Sequence, residues 1–128
     1  MPKKFAFTIC SINYLAQARV LSKSLKKTNP DYDFVIGLCD KIEGSGVDIS
    51  KLEGLNLLEV HNIGIEAFDE MCDRYDITEL NTAVKPFYIN YFFKEYEDIH
   101  SVIYFDPDIE IFEPLTGIEE GLVSHNIV

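Results

Sequence analysis

Two aspartates set two positions apart, Asp106 and Asp108, follow directly on the apolar run Val102-Ile103-Tyr104-Phe105. Carboxylate oxygens are ligands for hard divalent cations such as Mg²⁺ and Mn²⁺. An ion held there can grip the phosphates of a nucleotide and neutralise a departing diphosphate. The run before the acids is short, β-branched and aromatic, which predicts a buried strand. Polar groups at the carboxyl end of such a strand lie where open α/β sheets bind ligands. Solvated turns also carry this spacing, so the motif by itself leaves both readings open.

Other residues suit the same chemistry. The segment Thr8-Ile9-Cys10-Ser11-Ile12-Asn13-Tyr14 joins a strand candidate to a helix candidate. In a nucleotide-binding half, that turn is where a base and ribose lie. Tyr14 can stack on a base, with Thr8 or Asn13 hydrogen-bonding it; alternatively Tyr14 packs inward and Asn13 caps the helix. No Gly-x-Gly-x-x-Gly is present there, which speaks against a dinucleotide cofactor. Asp40 ends a second strand candidate, where it either meets a ribose hydroxyl or begins a turn. Lys85, in Thr82-Ala83-Val84-Lys85-Pro86-Phe87, is a cation among apolar neighbours. It can pair with phosphates or with Asp106, or extend its stem to water. His61, His100 and His125 have no metal-ligand spacing and read as structural or surface residues. No nucleophilic Ser/His/Asp or Cys/His arrangement is visible, so no catalytic residue is identifiable.

The 128 residues allow one small domain, and 47 % of them are apolar. A net charge of −11 argues against nucleic acid or an anionic membrane as partner, since both need basic patches. Cys10, Cys39 and Cys72 are odd in number and lack paired or metal-ligand spacing, which fits a reducing cytoplasm. The start, Met-Pro-Lys-Lys-Phe, lacks the apolar core of a signal peptide. No run reaches the roughly 20 apolar residues of a membrane helix.

Strands are predicted over Phe5 to Ile9, Asp33 to Cys39, Asn56 to His61 and Ser101 to Phe105. A fifth is predicted over Leu122 to Val128. A helix is expected from about Tyr14 to Lys27, with Tyr14, Ala18, Leu21 and Leu25 inward. Asn29-Pro30-Asp31 stops it. Lys41 to Gly54, with its three glycines, is loop with at most a short helix. A short helix follows over Ile65 to Tyr75. Asp76 and Glu79 have the spacing of a capping box, opening a helix that runs to about Tyr96 and bends or restarts at Pro86. The aromatic stripe Phe87-Tyr88-Tyr91-Phe92-Phe93 reads as core. Strands alternating with helices predict an α/β fold with a doubly wound, mostly parallel sheet. The closing apolar run is expected to continue into a longer protein.

Taken in order, these features resemble the amino-terminal, nucleotide-binding half of a GT-A-type glycosyltransferase, a nucleotide-diphospho-sugar transferase distantly like family 8 and the glycogenins. The resemblance rests on Asn13-Tyr14-Leu15 after the first strand, Ser22-Lys23-Ser24-Leu25 in the helix and Asp40 after the second strand. It continues through Thr82-Ala83-Val84-Lys85-Pro86, Val102 to Ile109 and Phe112-Glu113-Pro114-Leu115. It covers nearly the whole chain, so residues 1–128 are expected to form the nucleotide-sugar-binding part of a GT-A domain, without the acceptor-binding part.

The resemblance implies that Asp106 and Asp108 bind Mn²⁺ or Mg²⁺, Asp108 most directly, with Asp106 touching the ribose or the metal. Tyr14 matches a residue lying against the base; Thr8, Cys10 and Asn13 match the lip of the nucleoside pocket. Lys85 matches a basic residue, often Arg, that contacts the donor or the first aspartate; Lys keeps the charge but loses the bidentate fork. The implied activity is sugar transfer from a nucleotide diphosphate sugar, with a UDP-sugar expected, to an acceptor hydroxyl on a glycan, lipid or protein. Ser124 to Val128 resembles the strand that opens the acceptor-binding half. Two other readings fit the elements: a nucleotidyltransferase, and a non-catalytic metal- or nucleotide-binding module.

Overall fold

The first strand candidate, Phe-Ala-Phe-Thr-Ile, carries a single hydroxyl among apolar side chains, so both its faces have to be covered. A computed structural model, which describes residues 3–127, shows how. The chain runs through β1 (Lys4–Cys10), a 3₁₀ turn (Ile12–Tyr14), α1 (Leu15–Thr28) and β2 (Tyr32–Leu38). After a loop with a 3₁₀ turn (Ile49–Leu52) come β3 (Leu57–Glu59), a 3₁₀ turn (Val60–Asn62), α2 (Phe68–Arg74), α3 (Ile77–Ala83) and α4 (Lys85–Glu95). The last elements are β4 (Ile103–Tyr104) and α5 (Thr116–Ser124).

The four strands are all parallel, in the order β3-β2-β1-β4. On one face of the sheet Phe5, Phe7 and Ile9 pack with Val84, Tyr88 and Phe92 of the α3–α4 region. On the other, Ala6 meets Leu21 and Leu25 of α1, while Cys10 meets Leu15 and Ala18. Helices thus cover both faces of a parallel sheet, in keeping with the expected doubly wound order. Burying a large apolar side chain of this kind contributes roughly 1.5–3 kcal/mol. Phe7 lies 5.0 Å from Phe92 and 5.1 Å from Tyr104, ring centre to ring centre, both edge-on. Such pairs add about 0.5–1.5 kcal/mol and lock α4 and β4 onto β1. The chain leaves β1 toward β2 on one side and returns to β4 on the other. The strand order therefore reverses between β1 and β4, which is where open α/β sheets leave a crevice at their carboxyl ends.

Local chemistry explains the helix starts. Asp76 accepts the Glu79 N–H at 2.8 Å and Glu79 accepts the Asp76 N–H at 3.2 Å, the reciprocal capping box. The expected long helix restarts at Lys85, with Pro86 in the first turn of α4, where its missing N–H costs nothing. β3 and β4 are shorter than predicted, although the backbone stays paired beyond β4: the Phe105 N–H donates to the Phe7 carbonyl at 3.0 Å.

Two expectations are corrected. Tyr14 is not on the inner face of α1; it is 50 % exposed, and Leu15 turns inward instead. Tyr14 lies in a 3₁₀ turn of three residues per turn, which shifts the phase of the inward face. Nor do the described residues form a fifth strand after Leu122; Val128 lies outside them. Leu122 to Ser124 are the last turn of α5. Leu115, Ile118 and Leu122 recur at helical spacing, and Leu115 and Ile118 pack with the α1 face. Glu119 fixes the helix: it meets Lys4 Nζ at 3.2 Å and accepts the Tyr32 hydroxyl at 2.8 Å. Among the described residues no helix is long and apolar enough to cross a membrane.

Candidate functional site

A cavity of about 240 Å³ opens at the β1/β4 crevice. β1 supplies Ile9 and Cys10, the following turn Tyr14, and the end of β4 Tyr104 with Asp106 and Pro107. The opposite wall is one helical face, Thr78, Asn81, Thr82 and Lys85, at three- and four-residue spacing across the α3–α4 junction. Residues 14, 85 and 106, far apart in sequence, thus line one space.

Lys85 Nζ stands 3.9 Å from the centre of the Tyr104 ring. A cation on an aromatic face gains about 0.5–2 kcal/mol, depending on desolvation. Burial first, then the negative charge of Asp106, pushes the Tyr104 phenol up to about 12, so the ring under Lys85 stays neutral. Lys85 makes no ion pair among the described residues; its expected partner Asp106 is more than an ion-pair distance away. The ammonium is left available to an anion in the cavity.

Asp106 borders the cavity, and Asp108 lies on the adjoining turn, outside the lining. Both are exposed. The chain after them is braced by two buried polar residues of α1 and its end. Ser24 Oγ accepts the Ile111 N–H at 2.8 Å, and Asn29 Oδ1 accepts the Leu115 N–H at 2.8 Å. Among the described residues no three His, Cys, Asp or Glu side chains gather to cage a metal ion. Mg²⁺ does not require such a cage: it keeps several waters and takes one or two carboxylates plus substrate phosphates. Two solvated carboxylates in one turn beside a free ammonium fit an ion bound in that way.

The remaining predicted residues are more dispersed. Cys10 lines the cavity but is buried, which pushes its thiol up to about 12 and makes it inert as a nucleophile. Thr8 is fully buried in mid-strand, away from the lining, and its hydroxyl has no partner among the described residues. Asn13 is exposed outside the lining and forms no side-chain cap. Asp40 accepts the Ile12 N–H at 2.7 Å and so holds the β1–α1 turn in place rather than facing the cavity.

Sequence reasoning missed Asn81, Thr78, Ser24 and Asn29. Asn81 borders the cavity with its Oδ1 buried and without a hydrogen-bond partner among the described residues. An orphaned buried acceptor of this kind costs about 1–3 kcal/mol. The legible signal was the polar spacing of residues 78, 81, 82 and 85 in a helix whose other face is apolar.

A larger cavity, of about 700 Å³, lies between the start of α1 and the 47–55 loop. Its lining is mostly apolar, and its Arg19 donates to the Lys51 and Glu53 carbonyls. With that guanidinium serving the loop, the smaller β1/β4 cavity is the better-equipped chemical site. No protein-family model matches the sequence, and no curated protein matches it either.

Proposed function

We propose that this chain is the donor-nucleotide part of a metal-dependent glycosyltransferase of the GT-A type. It binds a nucleotide diphosphate sugar, a UDP-sugar in the first instance, for transfer of the sugar to an acceptor hydroxyl. The observation that carries this reading is the convergence of Tyr14, Lys85 and Asp106 on one crevice at the strand-order reversal, with Asp108 on the next turn. Asp106 and Asp108 would hold Mn²⁺ or Mg²⁺, which when bound supplies Lewis-acid neutralisation of the leaving diphosphate. Lys85 adds a second positive charge, resting on the Tyr104 face. The half-exposed Tyr14 ring offers a surface on which a base can stack.

Calorimetric titration of UDP with and without Mn²⁺, and with GDP as control, tests this. Mn²⁺-dependent UDP binding is expected, lost in Asp108→Asn while the thermal melt stays like wild type. Wild-type binding in Asp108→Asn removes the metal assignment. Mn²⁺ binding with no effect on nucleotide points instead to a metal-binding module.

A further inference from the structure

We infer that Asn81 selects the hydroxyl-bearing sugar of the donor, by offering that sugar an acceptor that no group among the described residues satisfies. The inference rests on the donor-nucleotide reading and assigns one wall of the same cavity. Asn81 Oδ1 is buried without a donor, and the cavity is the open space its amide borders. On the same wall the Thr82 hydroxyl donates to the Thr78 carbonyl at 3.3 Å, so its oxygen has only acceptor capacity left to offer. Beside the donors of the Asn81 amide nitrogen and the Lys85 ammonium, the wall therefore holds acceptors that ask for donors.

Ionised phosphate oxygens are acceptors and cannot answer it. Lys85, one helical turn on, disfavours a second cation there while suiting phosphate. A neutral donor remains, and a sugar ring supplies several as O–H. Size agrees: about 240 Å³ is below the roughly 300–1,000 Å³ of sites that enclose a whole drug-sized ligand, so the cavity takes a ring rather than a nucleotide. Tyr14, in the wall opposite Asn81, is half exposed and offers its ring to a base at the cavity's rim. The terminal amide torsion of Asn is broad and roughly two-fold, so a half-turn exchanges Nδ2 for Oδ1 at the cavity and presents the oxygen to a ligand hydroxyl.

The test titrates UDP, UDP-glucose, UDP-galactose and UDP-N-acetylglucosamine, each with Mn²⁺, into wild type and Asn81→Ala. At least one UDP-sugar is expected to bind wild type about tenfold tighter than UDP, as a site built for hydroxyls should. In Asn81→Ala that increment disappears while UDP affinity stays within about twofold. The variant should melt no lower than wild type, because it removes an unsatisfied acceptor; a purely structural Asn81 would lower the melt. An increment that survives Asn81→Ala, or equal weakening of UDP and UDP-sugars, overturns the inference while leaving the donor-nucleotide reading intact. Absence of any UDP binding to wild type overturns both.

Discussion

Lys85 shows how a single residue acquires meaning from its surroundings. The chain has 11 Lys and Arg against 22 Asp and Glu, so an uncompensated cation is scarce. At this position the ammonium rests on a neutral aromatic ring beside Asp106 and has no ion-pair partner among the described residues. If it serves donor phosphates, Lys85→Met removes a charge-assisted hydrogen bond worth about 1.5–3 kcal/mol. That is roughly a tenfold or greater rise in the UDP Kd with Mn²⁺ present. Lys85→Arg, which keeps the charge, should recover most of the affinity. An unchanged Kd in Lys85→Met means that Lys85 does no more than pack on Tyr104. Lys85 and Asp106 were legible in the sequence because each is a charge set in an apolar flank. Asn81 was not, because a lone amide in a helix is ordinary until tertiary packing closes over its oxygen.

At the scale of elements, the position of Lys85 depends on how α4 seats against the sheet, and Gly37 sets that seating. A Cβ at Gly37 would lie 2.8 Å from Tyr88 Cζ. Tyr88 is fully buried and donates its hydroxyl to the Leu58 carbonyl at 2.8 Å, so its ring cannot withdraw. Gly37→Ala should therefore cost about 1–3 kcal/mol through overpacking. The cost should appear as a lower urea midpoint with an unchanged m-value; a midpoint equal to wild type would show that α4 shifts freely. Composition and period made β1, β2, α1 and the Asp76 cap readable in advance. The role of Gly37 was hidden, because a glycine inside a strand does not say which ring approaches it. α5 escaped for a different reason: Gly117 and Gly121 weaken the helical signal, and the apolar Leu122-Val123, with β-branched Val123, reads as the start of a strand. Packing of Leu115 and Ile118 on the α1 face favours the helix, with Glu119 adding contacts to Lys4 and Tyr32.

The whole molecule is a thin parallel sheet whose interior holds neutral titratable groups. Burial pushes the thiols of Cys10 and Cys39 up from 9.0 to about 12, and it raises the Tyr88 phenol as well. The folded state therefore keeps these protons more tightly than the unfolded chain does. Stability from this source is complete below pH 9 and declines as pH rises from 9 toward 12, by up to about 1.4 kcal/mol per pH unit for each thiol. Repulsion in a chain of net charge −11 acts in the same direction, but salt screens it, whereas buried groups are screened far less. Urea midpoints measured at pH 8 and at pH 10.5, under reducing conditions and high salt, separate the two. The midpoint should fall clearly over that interval. A Cys10→Ala, Cys39→Ala double variant, though less stable at pH 8, should show a shallower decline. If the double variant loses stability as steeply as wild type, the alkaline loss belongs to the buried phenols or to surface charge, and the two thiols do not titrate on unfolding as their burial requires.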